Sequence, residues 1–146
     1  MASRRKGRIL AFQSLYSWEA NKTPVGDAAD LSWLEPEKRD ALDEGTRSFS
    51  RLLISGTIEN IDAIDNMIKD HLKNWDFSRL NRVDLALLRL SVYTLMFQEE
   101  VHPSIVIDEA IGISKEFGAD DSFRFINGVL DNIRKTLQQN GKPNVT

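Results

Sequence analysis

The chain has 146 residues, of which 41% are apolar and 28% charged, with a net charge of −3. That is one domain's worth of polypeptide, long enough to bury a core without staples. There is no cysteine, which excludes disulfides, thiolate zinc sites and cysteine nucleophiles.

The charge is unevenly placed. Arg4, Arg5, Lys6 and Arg8 put +4 into the first eight residues, and no acid precedes Glu19. With those four cations set aside from the total of −3, the rest of the chain nets −7. A basic tip on an acidic body suits a local polyanion site better than a general nucleic-acid coat. The competing explanation is a solvated terminal arm. The basic start runs into no uninterrupted apolar stretch with a small-residue cleavage site, so the expectation is a soluble protein of the cytoplasm.

Ser3 can cap a first helix that reaches to about Ala20. On its wheel Ala11, Leu15 and Trp18 share one side with Phe12 beside them, while Lys6, Gln13 and Ser17 gather on a wet side. Tyr16 falls between the two. The basic residues are therefore the opening turns of an anchored helix, an arginine-rich segment over 3–8. Residues 21–40 break the pattern with Thr23-Pro24, Gly26 and Pro36, and read as a loop with one short helical turn around Trp33. Trp33 and Leu34 are expected to pin it to the body.

From Leu42 the three-to-four spacing returns through Phe49, Leu52, Leu53, Gly56, Asn60, Ala63, Ile64, Met67 and Ile68. It predicts one long helix to about Leu72, with Gly56 a point of bending or of close helix approach. Residues 73–79 are a connection in which Trp75 and Phe77 fold back on the core. Residues 80–97, LNRVDLALLRLSVYTLMF, are apolar at twelve of eighteen positions and on every side, the signature of a buried central helix. Asn81, Arg82, Asp84 and Arg89 argue against a membrane span. Asn81 is the expected cap, with Asp84 complementing the helix dipole.

Pro103 marks a turn and then a helix from about Ser104 to Phe117, with Val106, Ala110, Ile113 and Phe117 facing inward and Gly118 as the C′ residue. Asp121 or Ser122 caps a last helix whose apolar set is Phe123, Ile126, Leu130 and Ile133. The tail from about 138 to 146 reads as disordered. No strand pair is visible. The fold expected is all-α, a single compact domain over 1–146 with six to seven helices.

Catalytic chemistry is not expected. His71 and His102 have no ligand-spaced partners, and a lone histidine is more often a surface or capping residue than a catalyst. Asp108 and Glu109 are adjacent on a helix and point about 100° apart. Neither GxGxxG nor GxxxxGK[ST] occurs. No cofactor and no metal is implied. RNA binding fits better, since cations neutralise phosphates while aromatic rings and planar amides stack on or read unpaired bases. Arg4, Arg5, Lys6 and Arg8, then Gln13 and Tyr16, supply these groups from the first helix. Phe125 lies off the apolar set of the last helix and is a candidate stacking platform; the alternative is that it packs on a neighbouring helix. For the two features to form one site, the first helix must lie beside the last.

Three blocks carry a resemblance. RRKGRILAFQSLYSW at 4–18, VDLALLRLSVYTL at 83–95 and IVIDEAIGISKEFGADDSFRFINGVLD at 105–131 resemble, in order and at the right spacing, the NusB family of bacterial transcription antitermination factors. The resemblance implies two packed helical bundles. It also implies binding of the single-stranded boxA element of ribosomal-RNA leaders together with the ribosomal protein NusE, then assembly with other Nus factors on RNA polymerase. The family's arginine-rich motif falls on Arg4, Arg5, Lys6 and Arg8, and its following aromatic on Tyr16. Its RNA-facing acid and phenylalanine fall on Asp121 and Phe125, and an RNA-proximal acid on Asp84.

There are four departures from the family's pattern. Lys6 stands where arginine is common and lacks the bidentate fork. Gly7 loosens the first helical turn. Asp108 replaces asparagine and Thr94 replaces glutamate, changes expected to concern helix caps or partner contacts. The alternative to RNA binding is a helical interaction module that works through protein partners, with a second copy of the chain as one candidate.

Overall fold

The computed structural model describes residues 3–73 and 76–140. Among the described residues there are eight α-helices and no strand. They are α1 (Arg4–Asn21), α2 (Val25–Ala29), α3 (Pro36–Asp40), α4 (Glu44–Glu59), α5 (Ile61–Asp70), α6 (Arg82–Phe97), α7 (Pro103–Phe117) and α8 (Ser122–Gln139), with a short 3-10 turn at Phe77–Arg79 before α6.

The central helix is α6. Every residue from Asp84 to Leu95 is buried, which requires neighbours on all sides. Helices α1, α4, α5, α7 and α8 all pack on it, with α1 pairing chiefly with α4 and α7 with α8. The two bundles implied by the resemblance are therefore present, with α6 common to both. Asn81 caps α6 as expected, its side chain accepting from the Asp84 amide at 2.8 Å.

Arg89 ties the bundles together. Its guanidinium donates to both carboxylate oxygens of Asp65 on α5, at 2.9 and 2.8 Å, and to Glu19 on α1 at 2.6 Å. The Arg89 side chain is only 7% exposed, and the rings of Trp18 and Phe77 flank it. Burial opposes the charge on this guanidinium, but the hydrogen bonds and charges of Asp65 and Glu19 outweigh it and leave the pKa raised. At the far end, His71 bonds the Met67 carbonyl and the Thr136 hydroxyl, joining α5 to α8. His102 caps α7 by accepting from the Ser104 amide. Both histidines are thus structural bonds or caps, as expected.

Several expectations need correction. The long helix expected over 42–72 is broken at Asn60, whose φ of −111° and ψ of 23° leave the helical region. Its side chain donates back to the Gly56 carbonyl at 2.8 Å and so closes α4. Gly56 does allow close approach: a Cβ there would collide with the Tyr93 ring of α6.

The segment 21–40 holds two short helices, and the turn containing Trp33 between them is not helical. Ala28, Ala29 and Leu31 are its buried anchors; Leu34 is partly buried, whereas Trp33 is exposed. Phe77 packs on the core, while Trp75 lies outside the described residues. In α8 the buried set is Ile126, Val129, Leu130 and Ile133, with Val129 in the place expected for Phe123. Phe117 is 36% exposed rather than inward. Gly118 ends α7 in an extended conformation (φ −94°, ψ 179°), not a left-handed one. A Cβ there would sit 2.8 Å from the Ser114 carbonyl oxygen, so close packing selects the glycine. Helix α8 runs through Gln139, and of the tail expected to be disordered, 141–146 lies outside the described residues.

Candidate nucleic-acid interface

The first turn of α1 carries Arg4, Arg5 and Lys6 and no acid, the wrong sign for the positive end of a helix dipole. The structure offsets this with a tie to the neighbouring helix. The Ser3 hydroxyl accepts from the Lys6 amide at 3.2 Å, and the Ser3 amide donates to the Thr46 hydroxyl at 2.9 Å. Thr46 is itself held by Asp43 at the start of α4, through its hydroxyl at 2.6 Å and its amide at 3.0 Å. These bonds hold the Asp43 carboxyl below its usual pKa. The arginine-rich segment is therefore fixed to the body at its first residue.

The four cations then divide. Arg4 lies over the Phe49 ring of α4 at 4.6 Å and Arg8 at 5.6 Å. Gly7 makes room for that ring, since a Cβ would stand 2.6 Å from Phe49 Cδ2. The glycine expected only to loosen the turn is therefore what lets Phe49 sit beneath two arginines. Arg5 and Lys6 turn the other way and, with Ser3, Ile9, Leu10 and Gln13, line an open depression of about 360 Å³. Tyr16 follows Gln13 by three residues and is 39% exposed.

Two acids of α7 reach these arginines. Glu109 accepts from Arg5 at 3.3 Å and from Arg8 at 3.2 Å, and Glu116 accepts from Arg5 at 3.3 Å. Sequence reasoning missed both, because they lie 101 to 111 residues from their partners. It missed Phe49 for the same reason.

The remaining predicted residues form a second group around Ser122. Asp84, at the start of α6, accepts from Asn81 at 3.2 Å and from the Ser122 hydroxyl at 3.5 Å. Its other oxygen is buried without a hydrogen-bond partner among the described residues. Burial pushes the Asp84 carboxyl up, and the Ser122 and Asn81 bonds only partly oppose it. Asp121 is exposed at the N-cap of α8 and makes no side-chain cap bond. Phe125 is partly buried and packs against the core. The ring left off the core is Phe123, with Lys115 Nζ 4.8 Å and Arg124 Cζ 5.7 Å from its centroid.

Helix α1 packs chiefly on α4 and α6, and α8 chiefly on α7 and α6. Between the two groups runs the C-terminal half of α7, joined to α1 by the Arg5–Glu116 pair and by Phe12 against Phe117 at 5.5 Å. Thr94, expected at a cap or partner contact, is instead buried in α6, its hydroxyl donating to the Leu90 carbonyl at 3.2 Å. Among the described residues no group of three or more acidic or histidine side chains could hold a metal ion. No helix among them is long and apolar enough to cross a membrane.

Known proteins are similar to this chain in sequence and in fold. The family model described as NusB family matches residues 5–135. The transcription antitermination protein NusB of Treponema pallidum (strain Nichols) is 47% identical over 137 residues, covering 91% of this chain and 93% of that protein. Among solved structures, NusB of T. maritima superposes with a TM-score of 0.81 at 33% identity, covering 92% of this chain and 93% of that one. A chain from the complex of antitermination factors NusB and NusE with double-stranded RNA gives a TM-score of 0.81 at 26% identity, covering 91% and 96%. This chain belongs to the NusB family, a family of transcription antitermination factors and not of enzymes.

Proposed function

We propose that this protein is an antitermination factor that binds single-stranded, boxA-type RNA of ribosomal-RNA leaders together with NusE. In this reading the pair joins other Nus factors at the elongating RNA polymerase in the cytoplasm. The observation that carries the reading is the start of α1. It presents Arg5, Lys6 and Gln13 around one open depression, with the exposed Tyr16 just beyond. Cations for phosphates beside an amide and an aromatic ring are the chemistry single-stranded RNA needs. The solved relative with NusE and RNA supports the choice of partners. Asp121 and Phe125 provide the second contact region, supported from beneath by the buried Asp84 through its bond with Ser122, and α7 spans the space between.

The test is a fluorescence-anisotropy titration of a boxA-like single-stranded RNA against a scrambled strand and a duplex, with and without NusE, at 50 and 200 mM salt. Selective binding that tightens with NusE is expected. Replacing Arg4, Arg5 and Arg8 together by glutamine should weaken it by at least about tenfold, because each phosphate contact contributes a log–log salt slope of about 0.7. Binding indifferent to sequence, partner and salt would instead identify a helical interaction module. Preference for the duplex would overturn the single-strand assignment.

A further inference from the structure

Of the four cations in the arginine-rich segment, Arg5 is the more exposed of the two held by carboxylates of α7, and it is held by two of them. Glu109, Gly112 and Glu116 are three and four residues apart on α7 and so share one face. The Arg5 guanidinium lies across that face, 3.3 Å from each carboxylate and 3.4 Å from the position a Cβ would take at Gly112. The guanidinium thus passes Gly112 at van der Waals distance.

The two carboxylates differ. Glu109 also holds Arg8, whose side chain is 11% exposed, and is itself 25% exposed. It fixes the pair of arginines in place. Among the described residues Glu116 holds only Arg5, and both side chains are half exposed, at 52% and 50%. An ion pair open to solvent is weak, so a phosphate can displace it, though against competition.

We propose that Glu116 is an internal competitor for RNA, a carboxylate that occupies Arg5 until a phosphate replaces it and so lowers the affinity and salt sensitivity of binding. This rests on the RNA-binding reading above. A free arginine that meets a phosphate releases the counterions condensed on the RNA. When Arg5 must first leave Glu116, the freed carboxylate takes up a cation from solution, and net ion release is smaller. The wild type should therefore show a salt slope shallower than four phosphate contacts would give.

The experiment compares wild type, Glu116→Gln and Glu37→Gln against the same boxA-like RNA from 50 to 400 mM salt. Glu37 is an exposed acid of α3, and its variant controls for net charge. Glu116→Gln should bind about 1.4- to 5-fold tighter at 50 mM salt, the equivalent of one exposed ion pair. Its log–log salt slope should be steeper by up to about 0.7, so the advantage shrinks as salt rises. Glu37→Gln should match wild type in slope. Unfolding midpoints of all three should agree, showing that the change is local to binding. Equal affinity and slope for wild type and Glu116→Gln, or the same gain in Glu37→Gln, overturns the competitor role while leaving RNA binding intact. Absence of selective binding in every form removes both.

Discussion

Arg89 and Arg5 are each gripped by two carboxylates, at opposite extremes of exposure. Arg89 is 7% exposed and joined to Asp65 and Glu19 by three hydrogen bonds of 2.6 to 2.9 Å. Arg5 is 50% exposed and reaches Glu109 and Glu116 at 3.3 Å. The same three groups make a rivet in one place and a releasable clasp in the other. The difference is water. Inside, removing one partner strands charge that solvent reaches poorly, whereas at the surface solvent and salt stand in for whichever partner leaves.

The comparison can be broken in measurable ways. Arg89→Leu should cost about 3 kcal/mol, the low end for breaking a buried pair because Glu19 is 37% exposed. Urea unfolding would report it as a lower midpoint. RNA affinity per folded molecule should not change, and if it does, Arg89 belongs with the clasp. Phe125→Ala should fall between the extremes, since the ring is partly buried on the core. A stability loss of about 1–2 kcal/mol, below the range for a fully buried phenylalanine, should accompany weaker RNA binding. Loss of stability alone would return the ring wholly to the core.

The smallest effect concerns Asp84, which tests whether a buried carboxylate without a cation behaves like neither arginine site. Burial raises its pKa in the fold. The folded state therefore holds a proton more tightly than the unfolded one, and this group favours folding at low pH. That contribution is lost as pH rises from the unfolded carboxylate value through the raised folded one. Asp84→Asn should flatten the pH dependence of stability across that window and gain stability at neutral pH. Denaturant midpoints measured at pH 4 and pH 7 would settle the sign.

What could be read from the sequence followed the range of the interaction. Caps act over three or four residues, so Ser3, Asn81 and Pro103 were legible, and Gly56 stood out as a glycine on an apolar stripe although its neighbour, Tyr93, is distant in sequence. The buried stripe of α6 was legible too, because periodicity sums over a whole helix. The break at Asn60 was not foreseen, although Asn60 is the one amide in an otherwise apolar series and its side chain closes α4.

Wheel position put Phe123 in the core, and wheel position together with the resemblance put Phe125 on the surface. Their actual settings depend on Lys115 and Arg124 beside one ring and on the core beneath the other. The candidate site was half legible. Its cations and Tyr16 stand out as types, while the partners that orient them, Phe49, Glu109 and Glu116, come from helices that no local pattern links to α1.

The distance between Arg5 and Glu116 along the chain also sets an order of events during synthesis. At about 5–20 residues per second, the 111 residues between them take on the order of ten seconds to make. The arginine-rich segment therefore emerges from the ribosome that much ahead of the acids of α7. Arg5 and Arg8 are without their Glu109 and Glu116 partners until α7 has been made and docks.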